Sequence, residues 1–128
     1  MQTPSNVAVW FEIPATDHDR AVRFYETMLA VTLKPESCPT SGIRMGVFPY
    51  AGGEAVSGCV VSGAGYEPNP NGTIVYLNGG ADLSEPLARV EAAGGRIAVP
   101  KTLITEEIGY FAHVIDSEGN RIGLHSRR

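Results

Sequence analysis

The side chains of this sequence that could bind or transform a small molecule begin with Glu12. It lies in the run Val-Ala-Val-Trp-Phe-Glu-Ile, on the same predicted strand face as Trp10. A carboxylate among apolar residues lies either at a rim or in a cavity, where burial would make it more basic and suit it as a general base. The alternative is a salt bridge to an arginine at the rim, such as Arg44 or Arg121.

A second set of aromatic and polar side chains is predicted on the strands of the C-terminal half. His125 is a candidate polar anchor for a ligand, and Trp10 could form a flat apolar wall against a planar one. Core packing is the alternative for the aromatic residues, and a hydrogen bond to backbone or solvent is the alternative for the histidine. The predicted ligand-binding residues are therefore Trp10, Glu12, Tyr76, Asn78, Tyr110 and His125.

The elements that must position these residues occur twice in the chain. A β-like run, an Asp, an amphipathic helix and a short apolar strand extend over 10–33, and the same order recurs over 74–99. In the first half the pattern predicts a strand from Val7, with Val7, Val9, Phe11 and Ile13 facing the helix. It also predicts a helix capped by Asp17 that ends near Leu29. Further strands are predicted at 31–35, 43–50 and 55–62.

The second half repeats this order with its own turn signals. A strand is predicted at 73–78, and Asp82 with Glu85 resembles a capping box at the start of one helix that ends at Gly94-Gly95. Strands are predicted at 96–99, 110–115 and 120–125. We expect one α+β domain of two βαβββ repeats, at about 6–63 and 73–126 with a linker at 64–72, in which the copies close against each other and a ligand can bind at the seam.

The bulk properties exclude several classes of function. The chain has 128 residues, a net charge of −4 and no basic run except Arg127-Arg128, so nucleic acid is not an expected partner. No stretch approaches the roughly 18 apolar residues of a membrane span, and the start lacks a secretory pattern, so we expect a cytoplasmic protein. Cys38 is interpreted as a loop thiol and Cys59 as a small buried residue.

The two βαβββ units, the pair Phe24-Tyr25, the helix end Ala92-Ala-Gly-Gly95 and the hairpin Asp-Ser-Glu-Gly-Asn-Arg-Ile-Gly-Leu-His of 116–125 resemble the vicinal oxygen chelate superfamily. This is the superfamily of glyoxalase I, bleomycin resistance proteins and extradiol dioxygenases. The resemblance implies paired curved mixed sheets that enclose a central cavity, and a homodimer. It also implies one divalent metal held by His, Glu or Gln from the first and last strands of each repeat. Such a metal polarises two vicinal oxygens of the substrate, or activates dioxygen when it is iron.

None of the positions that the resemblance assigns to metal ligands carries a His, Glu or Gln here. These positions are Trp10, Ile74 or Val75, Gly123, and 58–60. We therefore expect no cofactor and a metal-independent small-molecule-binding protein. The alternatives are a lyase, isomerase or dioxygenase that uses a displaced metal site around Glu12, His113 and His125 or uses Glu12 as general base, and a resistance protein that sequesters a drug.

Overall fold

The computed structural model describes residues 3–37 and 40–128, so the prediction for Cys38 falls outside the described residues. The first half of the chain contains β1 (Trp10–Pro14), α1 (His18–Leu29), β2 (Lys34–Ser37), β3 (Arg44–Val47) and β4 (Ser57–Ser62). The second half contains β5 (Tyr76–Asn78), α2 (Ser84–Leu87), α3 (Val90–Ala93), β6 (Arg96–Thr105), β7 (Gly109–Ile115) and β8 (Arg121–Ser126).

Each half forms its own four-stranded sheet, and the two sheets have the same topology. The strand orders are β1-β4-β3-β2 and β5-β8-β7-β6. The first strand of each half pairs in parallel with the last, and the remaining pairs are antiparallel. The predicted α+β architecture of two βαβββ units with mixed sheets is therefore confirmed. Among the described residues, no helix has the length and apolar character that a bilayer crossing requires.

Helix α1 forms as the sequence predicts. The Asp17 carboxylate accepts a hydrogen bond from the Arg20 N–H at 3.1 Å, which satisfies one of the free donors of the first turn. The buried residues of this helix recur at helical spacing, and they are Ala21, Phe24, Tyr25 and Met28. The helix ends at Ala30, which adopts a left-handed conformation and donates its N–H to the Glu26 carbonyl.

The single helix predicted after Asp82 is wrong, because the chain forms two short helices there. The Arg89 N–H bonds to the carbonyl of Pro86, three residues back. Between α2 and α3 the α-helical hydrogen-bond pattern is therefore replaced by the tighter pattern of a 3₁₀ turn. The Arg89 side chain also turns away to donate from Nε to the Met28 carbonyl at 2.9 Å. Asp82 still caps this segment by accepting the Ser84 N–H at 2.8 Å.

One hydrophobic core lies between the helices and both sheets. It takes one face of each sheet, and its fully buried members include Phe24, Tyr25, Met28, Val60, Leu83, Val90, Val114 and Leu124. Cys59 is buried as predicted. Because residues along a strand alternate, the opposite face of each sheet points away from the helices, and we call it the helix-free face.

The prediction that β1 begins at Val7 is wrong. β4 pairs with β1 only from Trp10 onwards, so the residues before Trp10 have no neighbouring strand to hold them in a sheet. Val7 and Val9 are 96% and 77% exposed and do not join the core. The other strand boundaries differ from the predictions by a few residues, and β6 extends to Thr105, with irregular pairing to β7.

The turn between β7 and β8, residues 116–120, ties the second half to the first, and we call it the clasp. The buried carboxylate of Asp116 accepts a hydrogen bond from the Tyr25 hydroxyl at 2.5 Å. It also accepts hydrogen bonds from the N–H groups of Glu118 and Asn120, each at 2.9 Å. Asn120 donates from Nδ2 to the Pro14 carbonyl at 2.7 Å. These bonds fix the clasp against the C-terminal end of β1.

Glu118 at the tip of the clasp holds the start of α1. Its side chain is fully buried and accepts the N–H groups of Thr16 and Asp17 at 2.9 and 2.7 Å. Arg20 adds an ion pair at 2.7 Å. Burial opposes ionisation, but the bonds from Arg20, Asp17 and Ser117 prevail and hold the pKa of Glu118 below its ordinary value. The clasp thus closes one end of the seam between the two halves.

Candidate functional site

Glu12 and Tyr76 occupy equivalent places in the two halves. Glu12 pairs with Cys59 in the first sheet, and Tyr76 pairs with Gly123 in the second. Both side chains lie on the helix-free face, because the residues that follow each of them along the strand are core residues. The duplication therefore places a carboxylate in one half where the other half has a phenol.

A cavity of about 800 Å³ opens at the end of the seam opposite the clasp. It lies between the first strand of each half, the end of α1, α2 and the ends of the β3–β4 loop. Trp10, Tyr76 and Asn78, all predicted site residues, line it. Trp10 and Tyr76 remain 43% and 50% exposed. We call this space the seam cavity, and its other apolar walls include Phe11, Phe48, Leu77 and Pro86.

The polar side chains in the wall of the seam cavity are Ser57, Asn78, Glu85 and Arg89. Ser57 Oγ donates to the Phe48 carbonyl at 2.8 Å, and Asn78 Oδ1 accepts the Gly80 N–H at 2.9 Å. Arg89 Nε is held by the Met28 carbonyl. A space of this size, whose walls are mostly apolar and aromatic, is suited to a largely apolar ligand of drug-like dimensions.

Glu12 lies on the helix-free face of β1 and is exposed, so the burial that would activate it as a base is absent. Within the described part of the chain it makes no salt bridge, and neither Arg44 nor Arg121 pairs with it. Its charge raises the pKa of the Tyr66 phenol. Burial, with a contribution from Glu12, raises the pKa of the Cys59 thiol to about 12.

Glu12 lines a second cavity, of about 450 Å³, nearer to the clasp. Trp10, Asn69, Asn120 and Arg121 also line this space. Trp10 therefore contributes to both cavities, whereas Glu12 is not a wall of the seam cavity. The predicted residues therefore do not surround one space, because Trp10, Tyr76 and Asn78 line the seam cavity and Glu12 lines this one.

His125 lies on the helix-free face of the second sheet, near Tyr76. Its Nε2 donates to the Ile108 carbonyl at 2.7 Å, because a carbonyl oxygen only accepts. With Tyr76, Ile104 and Phe111 it borders a shallow cavity of about 340 Å³. His125 and Tyr76 therefore share a surface, as the sequence predicts, but His125 does not reach the seam cavity.

Tyr110 lies on the opposite face of the second sheet from Tyr76. Side chains alternate along β7, and Phe111 takes the place on the helix-free face. The Tyr110 ring packs against the core, with the Lys101 ammonium 4.7 Å from its centre. The sheet therefore separates Tyr110 from the other predicted ligand-binding residues.

The predicted metal-ligand positions do not fit a divalent metal. A side chain on Gly123 would begin 2.5 Å from the Tyr76 ring, which fills that place. Of the described residues, no three His, Cys, Asp or Glu side chains come together as a ligand set. Glu12, His113 and His125 do not converge, and both ring nitrogens of His113 already face Tyr76 and Arg121. A protein generally needs three or more ligands to hold a divalent metal ion.

Sequence reasoning missed three parts of this region. Phe48 and Pro86 come to the seam cavity from elements distant in the chain, and no local pattern marks them. Tyr66 reaches Glu12 from the linker. The contact between Tyr76 and His113 had one usable signal, because a glycine inside a strand, here Gly123, often marks a close approach by another group.

Comparison with known proteins finds similarity in structure. The sequence matches no protein-family profile and no curated protein. The fold matches an E144Q mutant of glyoxalase I from Zea mays with a TM-score of 0.72 and 17% identity, over 93% of this chain and 46% of that one. The chain thus spans about half the length of the maize enzyme.

Two structures from Streptomyces sp. CB03234 match over nearly their whole length. A glyoxalase/bleomycin resistance protein matches with a TM-score of 0.67 and 24% identity, over 92% of this chain and 98% of that one. The antibiotic binding protein TnmS3 matches with a TM-score of 0.66 and 23% identity, over 97% and 98%. The resemblance in the sequence motifs is therefore confirmed at the level of structure, and the chain has the fold of the vicinal oxygen chelate superfamily.

Proposed function

We propose that this protein binds an apolar, aromatic small molecule in the seam cavity and that it does so without a metal. The observation that carries the proposal is the cavity of about 800 Å³ with Trp10, Phe11, Phe48 and Tyr76 in its walls. Flat aromatic walls bury a planar ligand with little loss of side-chain freedom. TnmS3, which has the same fold, is described as an antibiotic binding protein, and that description supports a binding role.

Calorimetric titration with 8-anilinonaphthalene-1-sulfonate, an aromatic probe, tests the binding site. We expect one site per chain and competition by uncharged naphthalenes. A variant that fills the cavity, Ser57→Phe, should abolish binding, since Ser57 lies in the wall and its hydroxyl bonds only to backbone carbonyls. Equal binding by this variant, once shown to be folded, would place the probe elsewhere and contradict the proposal.

Elemental analysis of protein purified without chelators tests the metal-free part. We expect less than stoichiometric nickel, zinc, iron and manganese. One equivalent of any of these metals that survives dialysis would overturn it. The donor chemistry at the predicted ligand positions supports the expectation, since Trp10 and Gly123 offer no metal ligand.

The cytoplasmic location and a homodimer are part of the same proposal. The homodimer is supported by the unpaired segment before β1, where Val7 and Val9 are almost fully exposed. Sedimentation measurements should show twice the mass of the 13.6 kDa chain. The paired substitution Val7→Asp with Val9→Asp should shift the protein towards monomer, and a monomeric wild type would contradict this part.

An enzyme that uses Glu12 as general base is the second candidate. Its support is the position of Glu12, exposed in a cavity, near the Tyr66 phenol and without an ion-pair partner among the described residues. Such an enzyme would convert a bound ligand, whereas a sequestering protein would return it unchanged. Glu12→Gln should then abolish turnover and leave binding nearly intact, and unchanged turnover would exclude the base.

A further inference from the structure

Three side chains on the helix-free face of the second sheet form a continuous hydrogen-bonded chain. Tyr76 Oη lies 2.6 Å from His113 Nε2, and His113 Nδ1 lies 3.2 Å from Arg121 Nη1. These hydrogen bonds extend from β5 to β7 across β8, because the Tyr76 ring lies over Gly123. A Cβ atom on Gly123 would be only 2.5 Å from that ring. We call these three residues the relay.

The partners of His113 determine where its proton lies. A guanidinium group has only N–H donors, so His113 Nδ1 must accept from Arg121. A neutral imidazole then carries its proton on Nε2 and donates it to Tyr76 Oη. Burial and the charge of Arg121 lower the pKa of His113, which favours this neutral form.

The consequence for Tyr76 concerns its own hydroxyl proton. Its oxygen already accepts from His113, so the phenolic proton is free to point to another acceptor. Tyr76 is half exposed and lines both the seam cavity and the shallow cavity beside Phe111. An oriented donor therefore stands beside apolar walls, and a ligand that covers Tyr76 would exclude water from this hydrogen bond.

We propose that the relay presents the Tyr76 hydroxyl as a hydrogen-bond donor to the carbonyl oxygen of an aromatic ketone or quinone bound against the second half. This inference rests on the proposed function, since it names the ligand class of that same region. Arg121 and His113 are positioning residues, because they act through Tyr76 and do not touch the ligand. Gly123 is the position that allows the phenol to reach them.

Nitrogen NMR of the histidine side chains tests the relay without any ligand. Near neutral pH we expect His113 to be neutral with its proton on Nε2. Arg121→Gln should mix the two tautomers, because a glutamine amide can donate to or accept from Nδ1. A wild-type His113 protonated on Nδ1, or doubly protonated, would overturn the proposal.

Calorimetric titration with 2-acetylnaphthalene and 2-ethylnaphthalene tests the ligand class, since the two compounds differ by one carbonyl oxygen. We expect the ketone to bind about fivefold more tightly, the value of one ordinary hydrogen bond. Tyr76→Phe should remove the preference, and Gly123→Ala should reduce it by displacing the ring. Tyr110→Phe, the same change on the opposite face of the sheet, should leave it intact.

The outcomes separate the two proposals. Binding of both compounds with equal affinity, or a preference that persists in Tyr76→Phe, overturns the role of the relay and leaves the binding site standing. Binding of neither compound, while the anilinonaphthalene sulfonate binds, also rejects this ligand class. Failure of all three probes to bind overturns the proposed function itself.

Discussion

The two ends of the seam are related by the duplication, yet one is closed and the other is open. At the closed end, the β7–β8 turn reaches the first half through Asp116, Glu118 and Asn120. At the open end, the corresponding β3–β4 loop has Tyr50 and Val56 exposed, and the seam cavity lies beside it. The comparison indicates that one copy of the turn secures the fold and leaves the other free to border a cavity.

The difference follows from the chemistry of the two turns. The clasp carries two carboxylates and an amide, which meet backbone N–H groups, an arginine and the Tyr25 hydroxyl. The loop after Phe48 reads Pro-Tyr-Ala-Gly-Gly-Glu-Ala-Val and places apolar residues towards the seam. Polar side chains with fixed partners close an interface, whereas apolar ones without such partners leave an open surface.

The largest expected effect comes from removing the centre of the clasp. Asp116→Ala would leave the Tyr25 hydroxyl and the N–H groups of Glu118 and Asn120 without this acceptor, so we expect unfolding free energy to fall by about 3–5 kcal/mol. Urea denaturation measures this loss. Asp19→Ala, which removes an exposed ion pair with Arg44, is the control and should cost less than about 1 kcal/mol. Similar losses in the two variants would refute the special role of the clasp.

A second prediction concerns the acid sensitivity of the closed end. Because the pKa of Glu118 is lower in the folded protein, its ionised form stabilises the fold above the ordinary value of 4.5, and this contribution disappears as the pH falls through the lowered pKa. Glu118→Gln should cost about 2 kcal/mol at neutral pH. The difference from wild type should shrink as the pH falls below 4.5, in urea titrations at several pH values. A difference that does not change with pH would show that the charge of Glu118 is unimportant.

The smallest expected effect is at the open end and concerns binding rather than stability. Trp10→Ala should weaken the binding of 8-anilinonaphthalene-1-sulfonate by about tenfold, because it removes one aromatic wall of the seam cavity. Its unfolding free energy should change by less than about 1 kcal/mol, since Trp10 is 43% exposed. Leu103→Ala, at an exposed position on β6, is the matched control. If calorimetry shows unaltered binding by Trp10→Ala, the probe does not bind in the seam cavity.

The sequence predicted the order of elements and the face of α1, because these depend on local periodicity and on a cap at Asp17. It could not predict where β1 begins, since that depends on where its partner β4 starts to pair. The break between α2 and α3 was missed for a related reason. The capping signal at Asp82 gives no information about Arg89, whose side chain bonds to the Met28 carbonyl of another helix.

The positions of the candidate site residues were predictable in part. Trp10, Tyr76 and Asn78 share the seam cavity, but the alternation that placed Tyr110 with them was misjudged by one residue, which in a strand means the other face. The relay depends on a ring crossing a neighbouring strand at Gly123. The relay joins Tyr76 to His113, which lies 37 residues later, and His113 to Arg121, which lies 8 residues later. No local sequence pattern marks contacts between these positions.

The place of the chain's single tryptophan has an optical consequence. Trp10 stands at the open seam, so intrinsic emission excited in the indole band would report on the cavity and its occupant rather than on the core around Phe24 and Tyr25. A ligand that covers the half-exposed indole should shift that emission to shorter wavelength. An emission change without a matching change in circular dichroism would then indicate a change around Trp10 at the seam cavity and not unfolding.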